Sequence, residues 1–329
     1  MSLLWKKKPF LGFGIGMGVL GALALALRHS QKYSRSVPDA ISPAIFSTRS
    51  VSTSRGEIVY HTSGSGDPVV FLHGFFLGAS SYEWSKIYPL ATLRHEVIAP
   101  DLIGFGESER PLEALDADSH VESLAEFLRG IVPARPAVIV ASGTTANLCL
   151  ILSARHPELV SRLILFLPTE LKDARKARTM GLIGKSRIPG VSGIVYRRHL
   201  AQPSFIKTWL ESYGFSNPEK LTAETVSVLV TCAQQYGAEH AIFGFIRNRH
   251  GFDVARHLPG VMAPVHILWP SQAAGFHPSE AVNLCRHIPR ATMEILPGAS
   301  AFAPIESPGE TGEVVSRWID GDLTVLQST

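Results

Sequence analysis

The chain has 329 residues, 45% of them hydrophobic and 18% charged, which is enough to bury a large core without a stabilising metal or disulfide. A formal net charge of +3 and the lack of a long Lys/Arg stripe argue against a nucleic-acid partner. Cys149, Cys232 and Cys285 are odd in number, far apart and without zinc spacing, so neither a disulfide framework nor a metal centre is expected, and nothing points to a cofactor.

In chain order, the first feature is an apolar run. Pro9 to Leu27 is nineteen residues without a charge. As a helix it rises about 28 Å, close to the roughly 30 Å of a bilayer's hydrocarbon. Ala24-Leu25-Ala26 resembles a signal-peptidase site. The run is longer than a signal h-region, however, and Arg28-His29 follows it directly. Residues 1–27 are therefore predicted to be an uncleaved single-pass membrane anchor. Both flanks are basic, so the side of the soluble domain stays open, with Lys6-Lys7-Lys8 leaning toward an inside N-terminus. Gly12/Gly16 and Gly14/Gly18 have small-xxx-small spacing, which suits contact with a membrane-protein partner or a second copy. The ordinary abundance of glycine in membrane helices explains them equally well.

Residues 28–49 read as a polar linker. Ser50–His61 reads as a hairpin turning at Ser54-Arg55-Gly56, and Val69–Leu72 as a buried strand. A helix is predicted to start within Ser81–Tyr88, followed by a strand over Glu96–Pro100. Further strands are predicted at Val138–Ala141, Leu163–Pro168, Ala263–Trp269 and Ala291–Pro297, and helices after Gly143 and over Pro308–Ile319. Residues 170–259 are mostly helical and amphipathic, as in Phe205–Tyr213 and Ala223–Tyr236. Alternating strands and helices imply a parallel sheet covered by helices.

Three motifs carry a resemblance. His73-Gly74 follows a buried strand, Asp101-x-x-Gly104-x-Gly106-x-Ser108 follows the next, and Arg155-His156-Pro157-Glu158-Leu159-Val160 ends a helix. Together they resemble the α/β-hydrolase superfamily, in its capped esterase, epoxide-hydrolase and haloalkane-dehalogenase-like branch. The resemblance implies an α/β-hydrolase fold: a mostly parallel central sheet with helices on both faces and a helical cap. It divides the chain into a core of residues 50–169 and 260–329, a cap insertion of 170–259, the 28–49 linker and the 1–27 anchor.

The resemblance also assigns the catalytic loops, and all three depart from the pattern. Acyl transfer needs a nucleophile, a base and an acid that orients it. The nucleophile elbow frame is Ala141-Ser142-Gly143-Thr144-Thr145, which puts Gly143 at the apex. Placing Ser142 there sets bulky Val140 where a small residue is needed, and threonine at Thr144 resists the positive φ of an elbow. The acid position falls on Ala273 and the base position on Ala301, in Leu296-Pro297-Gly298-Ala299-Ser300-Ala301. Glu170 is an alternative acid, read more simply as a lid-hinge carboxylate. His277 and His287 are the histidines nearest the base position in sequence. Phe75 and Thr144 occupy the vestigial oxyanion region. His73 and Asp101 are expected to bond nearby backbone.

These readings predict a membrane-anchored, catalytically degenerate α/β-hydrolase-like protein acting as a binding or assembly subunit of a membrane complex. Two alternatives stand beside it. One is an active hydrolase of an ester or related bond, using a non-standard hydroxyl such as Ser142 or Thr144. The other is a lidded receptor for a small apolar ligand, its pocket lined by Phe75, Phe76, Trp84, Trp209, Phe243, Phe245 or Trp269, although aromatic residues in such positions are more often core.

Overall fold

A computed structural model describes residues 43–113, 115–132, 135–168, 191–248 and 254–321. The Pro9–Leu27 span, the glycines Gly12, Gly14, Gly16 and Gly18, and Glu170 lie outside the described residues.

Eight strands form one sheet: β1 (Ser47–Thr53), β2 (Gly56–Gly64), β3 (Asp67–Leu72), β4 (His95–Pro100), β5 (Ala137–Ser142), β6 (Val160–Phe166), β7 (Val265–Pro270) and β8 (Ala291–Leu296). Their order is β1-β2-β4-β3-β5-β6-β7-β8. β1 and β2 are the antiparallel hairpin that the sequence predicts, and β2 runs antiparallel to β4. Every pairing from β4 through β8 is parallel. The reason is visible in the residues. Val69–Leu72, Ile139–Ala141 and Leu163–Phe166 are apolar at successive positions and buried, as strands covered on both faces must be. β1 mostly faces solvent, as befits an edge.

Among the helices, α1 (Ala117–Ile131) is N-capped by Asp116, whose side chain accepts from the Ser119 amide at 2.8 Å. It packs against α2 (Gly143–Arg155) and β1. After the sheet turns to its far edge come α6 (Pro278–His287) and α7 (Pro308–Ile319), the latter against β6. Cys149 is a buried thiol on α2, and burial alone raises its pKa.

The helix predicted to start within Ser81–Tyr88 is broken into two short pieces. Ser81–Tyr88 makes a single 3-10 turn over Ser81–Trp84, and a short helix follows at Tyr88–Ala91. The Ser81 amide is held by Asp101 Oδ1 at 2.6 Å, and Pro89 has no N–H to continue an α-helical ladder. Trp84 is consequently driven into the core, where its Nε1 donates to the Leu72 carbonyl at 3.0 Å. Trp84, Trp269 and Phe243 are fully buried core residues.

Between β6 and β7 the chain builds helices over the carboxyl ends of the strands: α3 (Pro203–Trp209), α4 (Ala223–Ala233) and α5 (Ala238–Asn248). Contacts to the core are close. Gly78, at φ 74°, lies so near the Leu229 carbonyl of α4 that a Cβ there would stand 2.0 Å from that oxygen. The Tyr82 hydroxyl donates to Glu224 at 3.0 Å. The chain leaves β6 through Leu167, a buried non-glycine residue at φ 46° whose amide donates to the Leu268 carbonyl at 3.0 Å.

Candidate active site

At the end of β5 the backbone reverses sharply into α2. Ser142 is extended, and Gly143 then takes φ 54°, a conformation that glycine adopts without strain. Apart from its chain neighbours and the backbone of its own helix, no atom lies within 4 Å of where a Cβ on Gly143 would stand, so a side chain there would enter open space. The first amides of α2 have no partner within the helix itself, as at any helix start. Thr145 ties the turn to the neighbouring loop, its hydroxyl donating to the His73 carbonyl at 2.6 Å.

Opposite the turn is the loop after β3. The imidazole of His73 accepts the Leu102 amide at Nε2 (3.0 Å), which leaves Nδ1 to carry the hydrogen toward the Gly74 carbonyl at 2.8 Å. Burial, partly opposed by the Asp101 charge, lowers its pKa, so this histidine is a neutral structural brace. Asp101 has the same character, accepting Ser81 N–H at Oδ1 and Glu107 N–H at Oδ2 (2.7 Å).

A residue that the sequence reading passed over stands beside these loops. Glu83 is 4% exposed, and its Oε2 accepts the Gly74 amide at 2.7 Å. Gly74 also abuts Ser142: a Cβ on Gly74 would lie 3.1 Å from Ser142 Oγ. The Ser142 hydroxyl faces Glu83 and favours its charged form, although no well-aligned acceptor holds that buried hydroxyl. Burial pushes the Glu83 carboxyl up to about 7, with the Gly74 amide and Ser142 hydroxyl offsetting only part of the effect. A signal for it was present. Glu83 is the lone acid in the stretch from His73 to Trp84, otherwise apolar, small or uncharged.

The other assigned positions lie in adjoining loops. Ala273 follows β7 and is buried, and Ala301 follows β8 and is half-buried. The Gln272 amide joins the two loops by donating to the Ala299 carbonyl at 2.8 Å. Beside Ala301, Phe302 meets Phe76 and Trp209 edge-on, with ring centroids 4.9 and 5.5 Å apart. Phe76 in turn reaches Gly74, so all three loops border one region beneath the cap. Phe75 packs on Phe105, His120 and Phe245. His120 is pushed down to about 4 by burial and is neutral at ordinary pH. Thr144 is buried in the first turn of α2. His277 and His287 sit exposed at the two ends of α6.

Glu306 fastens the cap to the loop after β8. It accepts the Asn217 amide at 2.7 Å, the Ser216 amide at 3.1 Å and hydroxyl at 2.8 Å, and a short bond from the Ser300 hydroxyl. Burial alone would raise its pKa, but the bonds from Ser300, Asn217 and Ser216 outweigh that and lower it. A depressed carboxyl stabilises the fold above its unfolded pKa, and the gain is lost as pH falls through the folded value. Glu306→Gln should therefore lower the melting temperature at neutral pH and leave it unchanged in strong acid. Equal losses at both pH values in a thermal scan would refute the charged clamp.

With the fold and these loops in view, comparison with known proteins is informative. The family model for the alpha/beta hydrolase fold matches residues 67–183. That match and the sheet order support an α/β-hydrolase fold. The chain is 35% identical over 109 residues to the 2-hydroxymuconate semialdehyde hydrolase of Pseudomonas sp. (strain CF600), covering 32% of this chain and 38% of that one. It is 40% identical over 107 residues to a haloalkane dehalogenase of Bradyrhizobium diazoefficiens, covering 31% and 33%. These matches span little more than a third of either relative's length. The crystal structure of the epoxide hydrolase CorEH superposes with a TM-score of 0.72 at 16% identity, covering 84% of this chain and 99% of that one, which shows a shared fold.

These comparisons correct the expected function. The relatives named above are a hydrolase and a dehalogenase. Among the described residues, no helix is long and apolar enough to cross a membrane. The reading as a degenerate assembly subunit is set aside; the anchor predicted over residues 1–27 lies outside the described residues.

Proposed function

We propose that this chain is a hydrolase of an ester or related bond, with Ser142 as the non-standard nucleophile and Glu83 as its base. The observation that carries the reading is the buried Ser142–Glu83–Gly74 cluster at the elbow, where a hydroxyl without a well-aligned acceptor faces a carboxyl poised near neutrality. A general base works best with a pKa near the operating pH, and burial supplies that here. The hydrolase relatives and the open space over Gly143 support the same reading.

Ser142 Oγ bonds to the acyl carbon and its proton passes to the Glu83 carboxylate. The acyl oxygen, now negative, draws on unpaired first-turn amides of α2. The bond to the leaving group breaks as Glu83 returns the proton to the departing alkoxide. Water then attacks the acyl-serine ester, gives a proton to Glu83 and frees the acid, and the proton goes back to Ser142.

A fluorophosphonate probe and short p-nitrophenyl esters test this on the purified chain. Labelling and turnover that are both lost in Ser142→Ala would support the assignment. An unlabelled protein that turns over no ester between about pH 6 and pH 9 would sink it, since that window brackets the ionisation of a base near neutrality.

A further inference from the structure

We propose that His61, Asp101 and Glu107 bind a divalent transition-metal ion of the zinc type, at the junction of β2 with the loop after β4. One ligand atom from each lies within 4.8 Å of the other two. His61 is 2% exposed, and its Nε2 is buried without a hydrogen-bond partner. That nitrogen points at Glu107 Oε2, 3.4 Å away. A tetrahedral zinc ion with bonds of about 2.1 Å holds its ligand atoms roughly 3.4 Å apart. The His61–Glu107 pair already has this spacing. The Glu107 side chain is a third exposed.

The surroundings orient each group. His61 Nδ1 meets Thr48 Oγ1 at 3.1 Å, across the β1–β2 pairing, which fixes the plane of the ring. A histidine ligand is held in this way by a bond to its other nitrogen. The loop from Asp101 to Ser108 is folded tightly about the Asp101 carboxylate. Glu107 N–H bonds Oδ2, Ser108 Oγ donates to the Asp101 carbonyl at 2.5 Å, and Val59 N–H bonds Ser108 Oγ at 2.8 Å. The backbone on either side of Glu107 is thereby fixed before any ion arrives.

The charges are also suitable. His61 brings one imidazole, and Asp101 and Glu107 bring two carboxylates, to the same point. Arg110 is the cation packed on this loop, and its guanidinium nitrogens donate to the Gly106 and Ser108 carbonyls. One imidazole with two carboxylates suits zinc, cobalt or manganese better than the all-oxygen shell that calcium or magnesium prefers. Sequence spacing concealed the site, since His61 lies on a different strand from the Asp101–Glu107 pair. The inference is independent of ester hydrolysis, because Glu83 and Ser142 take no part in it.

The test uses the full chain, stripped with EDTA and titrated with zinc in a calorimeter and with cobalt in a spectrophotometer. Expected results are saturable binding of one ion per chain, a higher melting temperature with the metal, and a cobalt spectrum of a nitrogen–oxygen site. Glu107→Gln, a surface change that should leave the fold intact, and His61→Ala should each weaken zinc binding by roughly tenfold or more. If His61 merely bonds Glu107, added zinc will not move the melting temperature. That outcome, or zinc affinity unchanged in Glu107→Gln, overturns the proposal.

Discussion

Replacing Glu83 by glutamine is expected to cut ester turnover by roughly 10²–10⁴-fold while the protein stays folded, the usual contribution of a positioned general base. Glutamine keeps a carbonyl oxygen for the Gly74 amide, so the loop after β3 has no reason to move. A second readout separates base from brace. The folded Glu83 carboxyl titrates at about 7, above an ordinary glutamate. The native state therefore binds more protons than the unfolded chain between the two values, and stability falls as pH rises through that window. The glutamine variant lacks this loss and should gain stability relative to the parent as pH rises toward 7. Unaltered kcat in Glu83→Gln, measured against a parent with established turnover, would remove Glu83 from the chemistry.

The largest expected loss of stability is at Gly106. A Cβ there would stand 1.9 Å from Asp101 Oδ2, and φ is 50°. Gly106→Ala must open the loop and sacrifice the Glu107–Asp101 bond, with the Ser108 bonds at risk as well. The cost should reach about 3–5 kcal/mol, the range in which strain combines with broken buried hydrogen bonds. Gly143→Ala is the control. Its φ is equally positive but no atom crowds the added carbon, so roughly 1 kcal/mol of backbone strain is expected. Urea midpoints shifted equally in the two variants would contradict the crowding argument.

The sheet was legible in the sequence because fully buried parallel strands are written as unbroken apolar runs, as Val69–Leu72 and Leu163–Phe166 are. The bracing roles of His73 and Asp101 were also legible, since each sits where a strand ends and backbone amides need acceptors. The role of His61 was not, and for Glu83 the sequence offered only a lone acid in an uncharged stretch. Each owes its meaning to burial beside groups distant in the chain: Ser142 for one, Asp101 and Glu107 for the other. The helix forecast to start within Ser81–Tyr88 is broken into short pieces for a related reason. Propensity does not register that Asp101, twenty residues on, captures the amide of Ser81.

Leu167 has a practical consequence for anyone rebuilding this molecule. A leucine at φ 46° costs of order 1–2 kcal/mol in backbone strain, and its burial and the bond to Leu268 hold it there. The direction in which the chain departs from the sheet is thus set by residue 167 itself. A designer transplanting a different cap onto this sheet should splice downstream of that residue. Cutting upstream would exchange a fixed exit for one that the donor sequence must set again.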